Sequence, residues 1–266
     1  MQFALVLELY HNFTLIHDDV VDRDTHRRGR PTVWQLFGTD HAINDGDAQL
    51  LWVAELLAKA ATDAPTQAAQ IFLLQQFRVV VEGQFLDFTL TNESLGSEAL
   101  SAASYEDMIR RKTAELIVAA TEGVAILAAV PVTERTALAD YGRFLGLAYQ
   151  ICDDVVSIWA DTNTTGKRSF GDIKEQKKTL PVFLAYEQLS EADRVSLEQL
   201  YAKDTMTDDD CVAVIALLDM VEAKQQCEER IAAYAEAAKV ATESLSIDAA
   251  QKQTLCTVVD SLLPKV

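Results

Sequence analysis

Asp18, Asp19 and Asp22 form an Asp-Asp-x-x-Asp run near the start of the chain, and a second acidic pair, Asp153 and Asp154, follows about half a chain later with Ser157 behind it. On a helix, the first and last carboxylates of such a run lie four residues apart and therefore on one face, within reach of the same ion. Oxygen-only donors of this kind suit magnesium. Two clusters on facing helices could hold several magnesium ions around one diphosphate and neutralise its charge, so that it can leave as pyrophosphate. The chemistry this suggests is ionisation of an allylic diphosphate.

A solvated helix face is the ordinary explanation of an acidic cluster. Here both clusters follow apolar runs, Phe13-Thr14-Leu15-Ile16 and Leu145-Gly146-Leu147-Ala148. Like charges held beside a core repel unless cations pair with them, which favours the functional reading. Arg27 and Arg28 follow the first cluster; their guanidinium forks match phosphate oxygens bidentately, although salt bridges to Asp22 or Asp24 would also satisfy them. Gln84 and Asp87 read equally well as a buried hydrogen-bonding pair or as part of a site. His17 beside Asp18 reads as a packing histidine, since no second histidine has metal-ligand spacing.

These groups need helices to hold them. Periodicity predicts helices from Gln2 to about Arg23, Ala42 to Ala61, Thr66 to Phe88, Tyr105 to Ala129 and Glu134 to Trp159. A basic turn, Arg27-Arg28-Gly29-Arg30-Pro31-Thr32, ends the first, and the polar stretch Arg110-Arg111-Lys112-Thr113 breaks the fourth. Asp161 to Asp172 reads as a polar loop, and Lys174, Lys177 and Lys178 open a helix started or interrupted by Pro181. Amphipathic helix follows from Glu191.

Composition fixes the class. The chain of 266 residues is 49% hydrophobic, with ten glycines, five prolines and no long β-branched alternation, which predicts one all-α domain over residues 1–266. The formal charge of −18 argues against nucleic acid as a partner. No run of some twenty apolar residues predicts a membrane span. Cys152, Cys211, Cys227 and Cys256 lack metal-ligand spacing and read as thiols in a reducing cytoplasm.

The pattern resembles the trans-isoprenyl diphosphate synthases, the family of geranylgeranyl and farnesyl diphosphate synthases. The resemblance is carried by His11 and Asp18-Asp19-x-x-Asp22 before Arg27-Arg28-Gly29-x-Pro31-Thr32; by Gly83-Gln84-x-x-Asp87; by Lys112-Thr113; and by Gln150-x-x-Asp153-Asp154, Gly166-Lys167, Asp172 and Lys177-Lys178-Thr179-Leu180-Pro181. It implies a helical bundle around a deep central cavity, usually as a homodimer, and a short-chain prenyltransferase that joins isopentenyl diphosphate to an allylic diphosphate. By that resemblance Asp18 and Asp22 bind two magnesium ions and Asp153 a third, supported by Asp19 and Asp154. Arg27, Lys112, Lys167 and Lys177 hold the allylic diphosphate, and Arg28 faces isopentenyl diphosphate. Thr113 and Gln150 line the reacting end. Phe13, about 7.5 Å down the helix from Asp18, forms the floor of the tail cavity with the small Thr14 beside it, which favours a geranylgeranyl product over farnesyl.

The family pattern also includes N-terminal helices with a Gly-Lys-x-x-Arg-Pro motif, before the point where this sequence starts, and an aspartate where Ser157 stands. Two other readings therefore stay open beside the prenyltransferase. A class I terpene synthase or allylic diphosphate lyase would need the metal and diphosphate parts alone, and a non-catalytic subunit of a heteromeric synthase would fold with a complete partner.

Overall fold

The computed structural model describes residues 2–159 and 170–263. Among them almost every residue is helical, as expected, and the only paired strands are two residues long. The chain divides into two compact units, Met1–Phe77 with Gly123–Val130, and Arg78–Glu122 with Pro131–Val266.

The first unit opens with α1 (Gln2–Val21), continues through a hairpin of β1 (His26–Arg27) and β2 (Arg30–Pro31) into α2 (Val33–Phe37) and α3 (Thr39–Ala60), and takes in the first half of α4 (Ala64–Asn92). The predicted basic turn is this hairpin, with Arg27 opposite Arg30. Arg28 and Gly29 both have positive φ, 52° and 75°, as a tight two-residue turn between right-twisted strands demands. Helix α1 packs along α3. The two are joined by Gln49 Nε2, which donates to the Leu9 carbonyl at 2.6 Å. Tyr10 stacks on Phe77 at 3.7 Å between ring centroids and donates its hydroxyl to the Phe77 carbonyl at 2.8 Å, so this fully buried ring leaves no polar atom unsatisfied.

The second unit holds the rest of α4, then α5 (Ala102–Ile109), a π-helical turn (Arg110–Ala114), the first part of α6 (Glu115–Leu127), whose end from Gly123 belongs to the first unit, α7 (Val132–Trp159), α8 (Gly171–Lys174), α9 (Leu180–Gln188), α10 (Glu191–Tyr201), α11 (Asp208–Met220), α12 (Ala223–Ala241) and α13 (Ala249–Leu262). Helix α7 is its axis. Buried positions recur on two of its stripes, Tyr141, Leu145, Ala148, Cys152 and Val155 on one and Leu147, Ile151, Asp154 and Ile158 on the other, which makes α7 an internal helix. Ile151 and Val155, fully buried against Leu180, Phe183 and Cys227, each contribute about 1.5–3 kcal/mol by leaving water. The remaining stripe, Gln150, Asp153 and Ser157, is half-buried. Reciprocal capping boxes start α5 (Ser101 with Ser104), α11 (Thr207 with Asp210) and α13 (Asp248 with Gln251).

One sequence expectation needs correcting here. Lys177 and Lys178 do not open a helix; they lie in the connector between α8 and α9, and Pro181 sits in the first turn of α9, where its missing N–H costs nothing.

Candidate active site

The carboxylates of the first cluster divide by burial. Asp22 lies just beyond α1, yet its amide still donates to the Asp18 carbonyl at 2.8 Å, so the helical register that puts Asp18 and Asp22 on one face is preserved. Asp19 is buried and accepts from Arg27 Nε at 2.7 Å. Burial pushes the Asp19 acid up while Arg27 opposes that shift. Arg27 reaches it because the hairpin folds the chain back on α1, so its partner is Asp19, where the sequence suggested Asp22 or Asp24. The hairpin is itself tied down by Thr32 and Trp34, which both donate to the Asp24 carbonyl at 2.7 Å.

Phe13 is buried between the rings of Tyr10, at 5.5 Å, and His17, at 4.8 Å. His17 is a packing residue as expected, its Nε2 lying 3.1 Å from the Ile43 carbonyl of α3. Thr14 stands one turn before Asp18 and donates to the His11 carbonyl at 2.8 Å. Burial holds the His11 imidazole below its ordinary range, with Arg28 and Arg27 acting the same way against Glu8.

In the second unit, the polar break predicted at Arg110–Thr113 is the π-helical turn. A π turn inserts a residue into the helix and needs extra room. Glycines on two neighbouring helices supply it. A β-carbon on Gly83 of α4 would lie 2.3 Å from the Lys112 backbone nitrogen, and one on Gly146 of α7 would lie 2.4 Å from Cα of Ala114. Arg110 and Arg111 turn outward to Asp107, Glu115 and Glu82, while Lys112 meets Asp87 at 2.6 Å.

Lys112 lines a cleft of about 110 Å³, with Gln150, Asp153, Asp154, Asp172 and Lys177 among its other walls. A chain of hydrogen bonds runs through its floor. Thr113 Oγ1 donates to Gln150 Oε1 at 2.6 Å, Gln150 Nε2 donates to Asp154 Oδ1 at 3.0 Å, and the buried Tyr105 hydroxyl donates to Asp154 Oδ2. With its nitrogen committed to Asp154, Gln150 turns its oxygen to Thr113. Burial, reinforced by Asp172, pushes the Asp154 acid well above the ordinary carboxylate range, against the hydrogen bonds from Tyr105 and Gln150. Burial also pushes Asp172 up to about 6, opposed by Lys177 and by a hydrogen bond with Ser157. Ser157 Oγ accepts from the Asp172 amide at 3.1 Å, so the serine that replaces an aspartate of the family pattern fastens the segment carrying Asp172 to α7. Burial lowers the Lys178 ammonium, whose Nζ donates to the Thr91 carbonyl at 2.8 Å.

The cleft thus gathers Lys112, Gln150, Asp153 and Lys177 in the second unit, with Thr113 joined to it through Gln150, whereas Phe13, Thr14, Asp18, Asp19, Asp22, Arg27 and Arg28 belong to the first. Lys167 lies outside the described residues. Sequence reasoning missed Tyr105, whose bond to Asp154 spans 49 positions, and gave Asp172 no role. Among the described residues no group of three or more carboxylate, histidine or cysteine side chains is arranged to hold a metal ion. Asp153, on the wall of the cleft, offers oxygen donors of the kind that magnesium takes.

Comparison with known proteins settles the family. Residues 1–218 match the polyprenyl synthetase family. This chain belongs to it. Among polyprenyl synthetases, the (2E,6E)-farnesyl diphosphate synthase of Mycobacterium tuberculosis is 39% identical over 220 residues, 81% of this chain and 60% of that protein. The chain spans about three fifths of the length of such curated relatives. The geranylgeranyl pyrophosphate synthetase from Pyrococcus horikoshii superposes over 100% of this chain and 80% of that one, with a TM-score of 0.92 and 28% identity. A polyprenyl synthase from Caulobacter crescentus, solved with calcium and isoprenyl diphosphate, superposes over 99% of this chain and 78% of its own, with a TM-score of 0.88 and 31% identity. Among the described residues no helix is long and apolar enough to cross a membrane.

Proposed function

We propose that this polyprenyl synthetase is a short-chain prenyltransferase that condenses isopentenyl diphosphate with an allylic diphosphate, and that its product is geranylgeranyl diphosphate. The observation that carries the proposal is the cleft, whose walls bring together Lys112, Lys177, Asp153 and Gln150, the last accepting from Thr113. Named relatives make both farnesyl and geranylgeranyl products, so the choice between them rests on Phe13 and Thr14.

Asp18 and Asp22, and Asp153, would hold three magnesium ions, which would supply Lewis-acid neutralisation of the diphosphate. The chain's own groups do the rest. Lys112 and Lys177, with Arg27 and Lys167, bind the allylic diphosphate as fixed cations, and Arg28 takes isopentenyl diphosphate. Breaking the C1–O bond leaves positive charge on the allyl group, and the isopentenyl double bond attacks C1; loss of a proton to the departing pyrophosphate completes the product. Thr113 spends its proton on Gln150, whose amide nitrogen is held by Asp154, so both oxygens present lone pairs to developing positive charge. Dipoles fixed in this way need no reorganisation as the charge forms. The exposed Leu36, Phe37, Leu51 and Trp52 of α2 and α3 are apolar surface of the kind a second copy covers, which supports a homodimer.

The test is product analysis after incubating the purified chain with magnesium, labelled isopentenyl diphosphate and, separately, C5, C10 and C15 allylic primers. Label in a C20 diphosphate is the expected result. Pyrophosphate release without label would favour an allylic diphosphate lyase, and no turnover without an added partner chain would favour a subunit.

A further inference from the structure

Residues 171–179 form a short strap that carries Asp172, Lys177, Lys178 and Thr179 to the cleft. Its turn is a Schellman motif at the end of α8: the Lys177 amide donates to the Asp172 carbonyl at 2.8 Å and the Gln176 amide to the Ile173 carbonyl at 2.9 Å. The residue at the centre of such a motif is left-handed and is usually glycine. Here it is Gln176, at φ 55°. An L-residue with a full side chain in that conformation carries a backbone cost, and outliers of this kind cluster where function needs them.

The Gln176 side chain shows what the turn gains in return. It is not among the cleft's walls, and its Nε2 donates to the Lys203 carbonyl at 2.5 Å. That carbonyl is well fixed, because Lys203 Nζ pairs with Asp210, which is also the capping-box partner of Thr207 at the start of α11. A second tether, Lys174 to Asp208 of the same helix at 2.5 Å, holds the other end of the turn. The strap is thereby fastened to the α10–α11 corner by residues that are not among the cleft's walls.

We propose that Gln176 is a positioning residue: its side-chain amide anchors the turn so that the next residue, Lys177, which pairs with Glu175 at 2.8 Å within the strap, is held at the wall of the cleft where the diphosphate would exchange for that partner. The inference rests on the role given to Lys177 above. An unanchored strap must be ordered by the ligand at each binding event, which weakens binding without altering the bound geometry.

Two substitutions separate this from a purely structural role. Gln176→Gly removes the anchor while relieving the left-handed backbone, and Gln176→Glu keeps the length but cannot donate to the Lys203 carbonyl. Calorimetric titration of inorganic pyrophosphate with magnesium into the full chain is the readout, with KM and kcat for the allylic diphosphate beside it and Lys177→Met as control. Both Gln176 variants should weaken pyrophosphate binding and raise KM about 3- to 10-fold, the worth of one hydrogen bond, while kcat stays within about twofold. Gln176→Gly should melt no lower than the parent, so that affinity falls while stability does not. Parent-like pyrophosphate binding in both variants, with Lys177→Met weakened, overturns the inference alone. Parent-like binding by Lys177→Met removes the role of Lys177 and the inference with it.

Discussion

Gly83 of α4 and Lys112 of the π turn meet backbone to backbone, so closely that a β-carbon on Gly83 would sit 2.3 Å from the Lys112 nitrogen. Helix α4 therefore governs where Lys112 stands twice over, through this backbone contact and through Asp87, which accepts from Lys112 Nζ at 2.6 Å. Gly83→Ala must push the π turn away, and since the obstacle is backbone it cannot be avoided by a rotamer change. We expect a loss of about 1–3 kcal/mol in stability, as for overpacking in a core, and a larger proportional fall in allylic diphosphate affinity. Chemical denaturation and substrate titration of the same variant measure the two.

Tyr105→Phe removes one hydroxyl from the buried chain that ends on Asp154. The carboxylate keeps Gln150 but loses its other donor, which should cost about 1–3 kcal/mol. The donor favours the ionised acid, so the Asp154 acid rises further in the variant and the deficit grows with pH. Melting temperatures across a pH series check the sign.

Asp172 gives a separate pH signature. Its acid is raised by burial from the ordinary 3.8 to about 6, so the folded chain binds more protons than the unfolded chain between those values. Stability from this group is therefore full below 3.8, falls as pH rises and reaches its lowest level above about 6. In chelator-treated protein, Asp172→Asn should gain on the parent over that window and keep a constant lead beyond it. A lead independent of pH would contradict the shift.

Asp18→Ala should abolish turnover while leaving helical circular dichroism unchanged, because Asp18 lies on the half-exposed side of α1 whereas Asp19 is the buried member of the cluster. Retained turnover would remove the carboxylate from the proposed metal site.

Phe13→Ala opens space beside Tyr10 and His17. If this ring limits chain growth, chromatography should show products longer than the parent's, at a stability cost of about 3–5 kcal/mol for a buried phenylalanine. An unchanged product distribution would move the limit to another residue.

Much of this was legible in the sequence because helical spacing is local. The register of Asp18 and Asp22, the break at Arg110–Thr113 and the extents of α1, α4 and α7 all follow from periodicity and a few breakers. What escaped depends on partners far away in the chain. Tyr105 looks like an ordinary apolar-face residue until Asp154 is placed against it, and Arg27 finds Asp19 only through a turn whose type depends on two positive φ angles. Lys177 and Lys178 read with Lys174 as the opening of a helix at Pro181; the left-handed Gln176 that ends α8 just before them leaves no compositional trace.

The separations along the chain also order the assembly of the molecule. The ties that shape the first cluster, Asp19 to Arg27, Asp24 to Thr32 and Asp24 to Trp34, close loops of 8 to 10 residues. Those of the cleft, Asp87 to Lys112, Thr113 to Gln150 and Tyr105 to Asp154, close loops of 25 to 49. Closing the longest of these costs about 1.5 kcal/mol more chain entropy than closing the shortest, before any packing rewards it. Nearby contacts form fastest, so a refolding chain regains the hairpin while the lysines and carboxylates of the cleft are still apart.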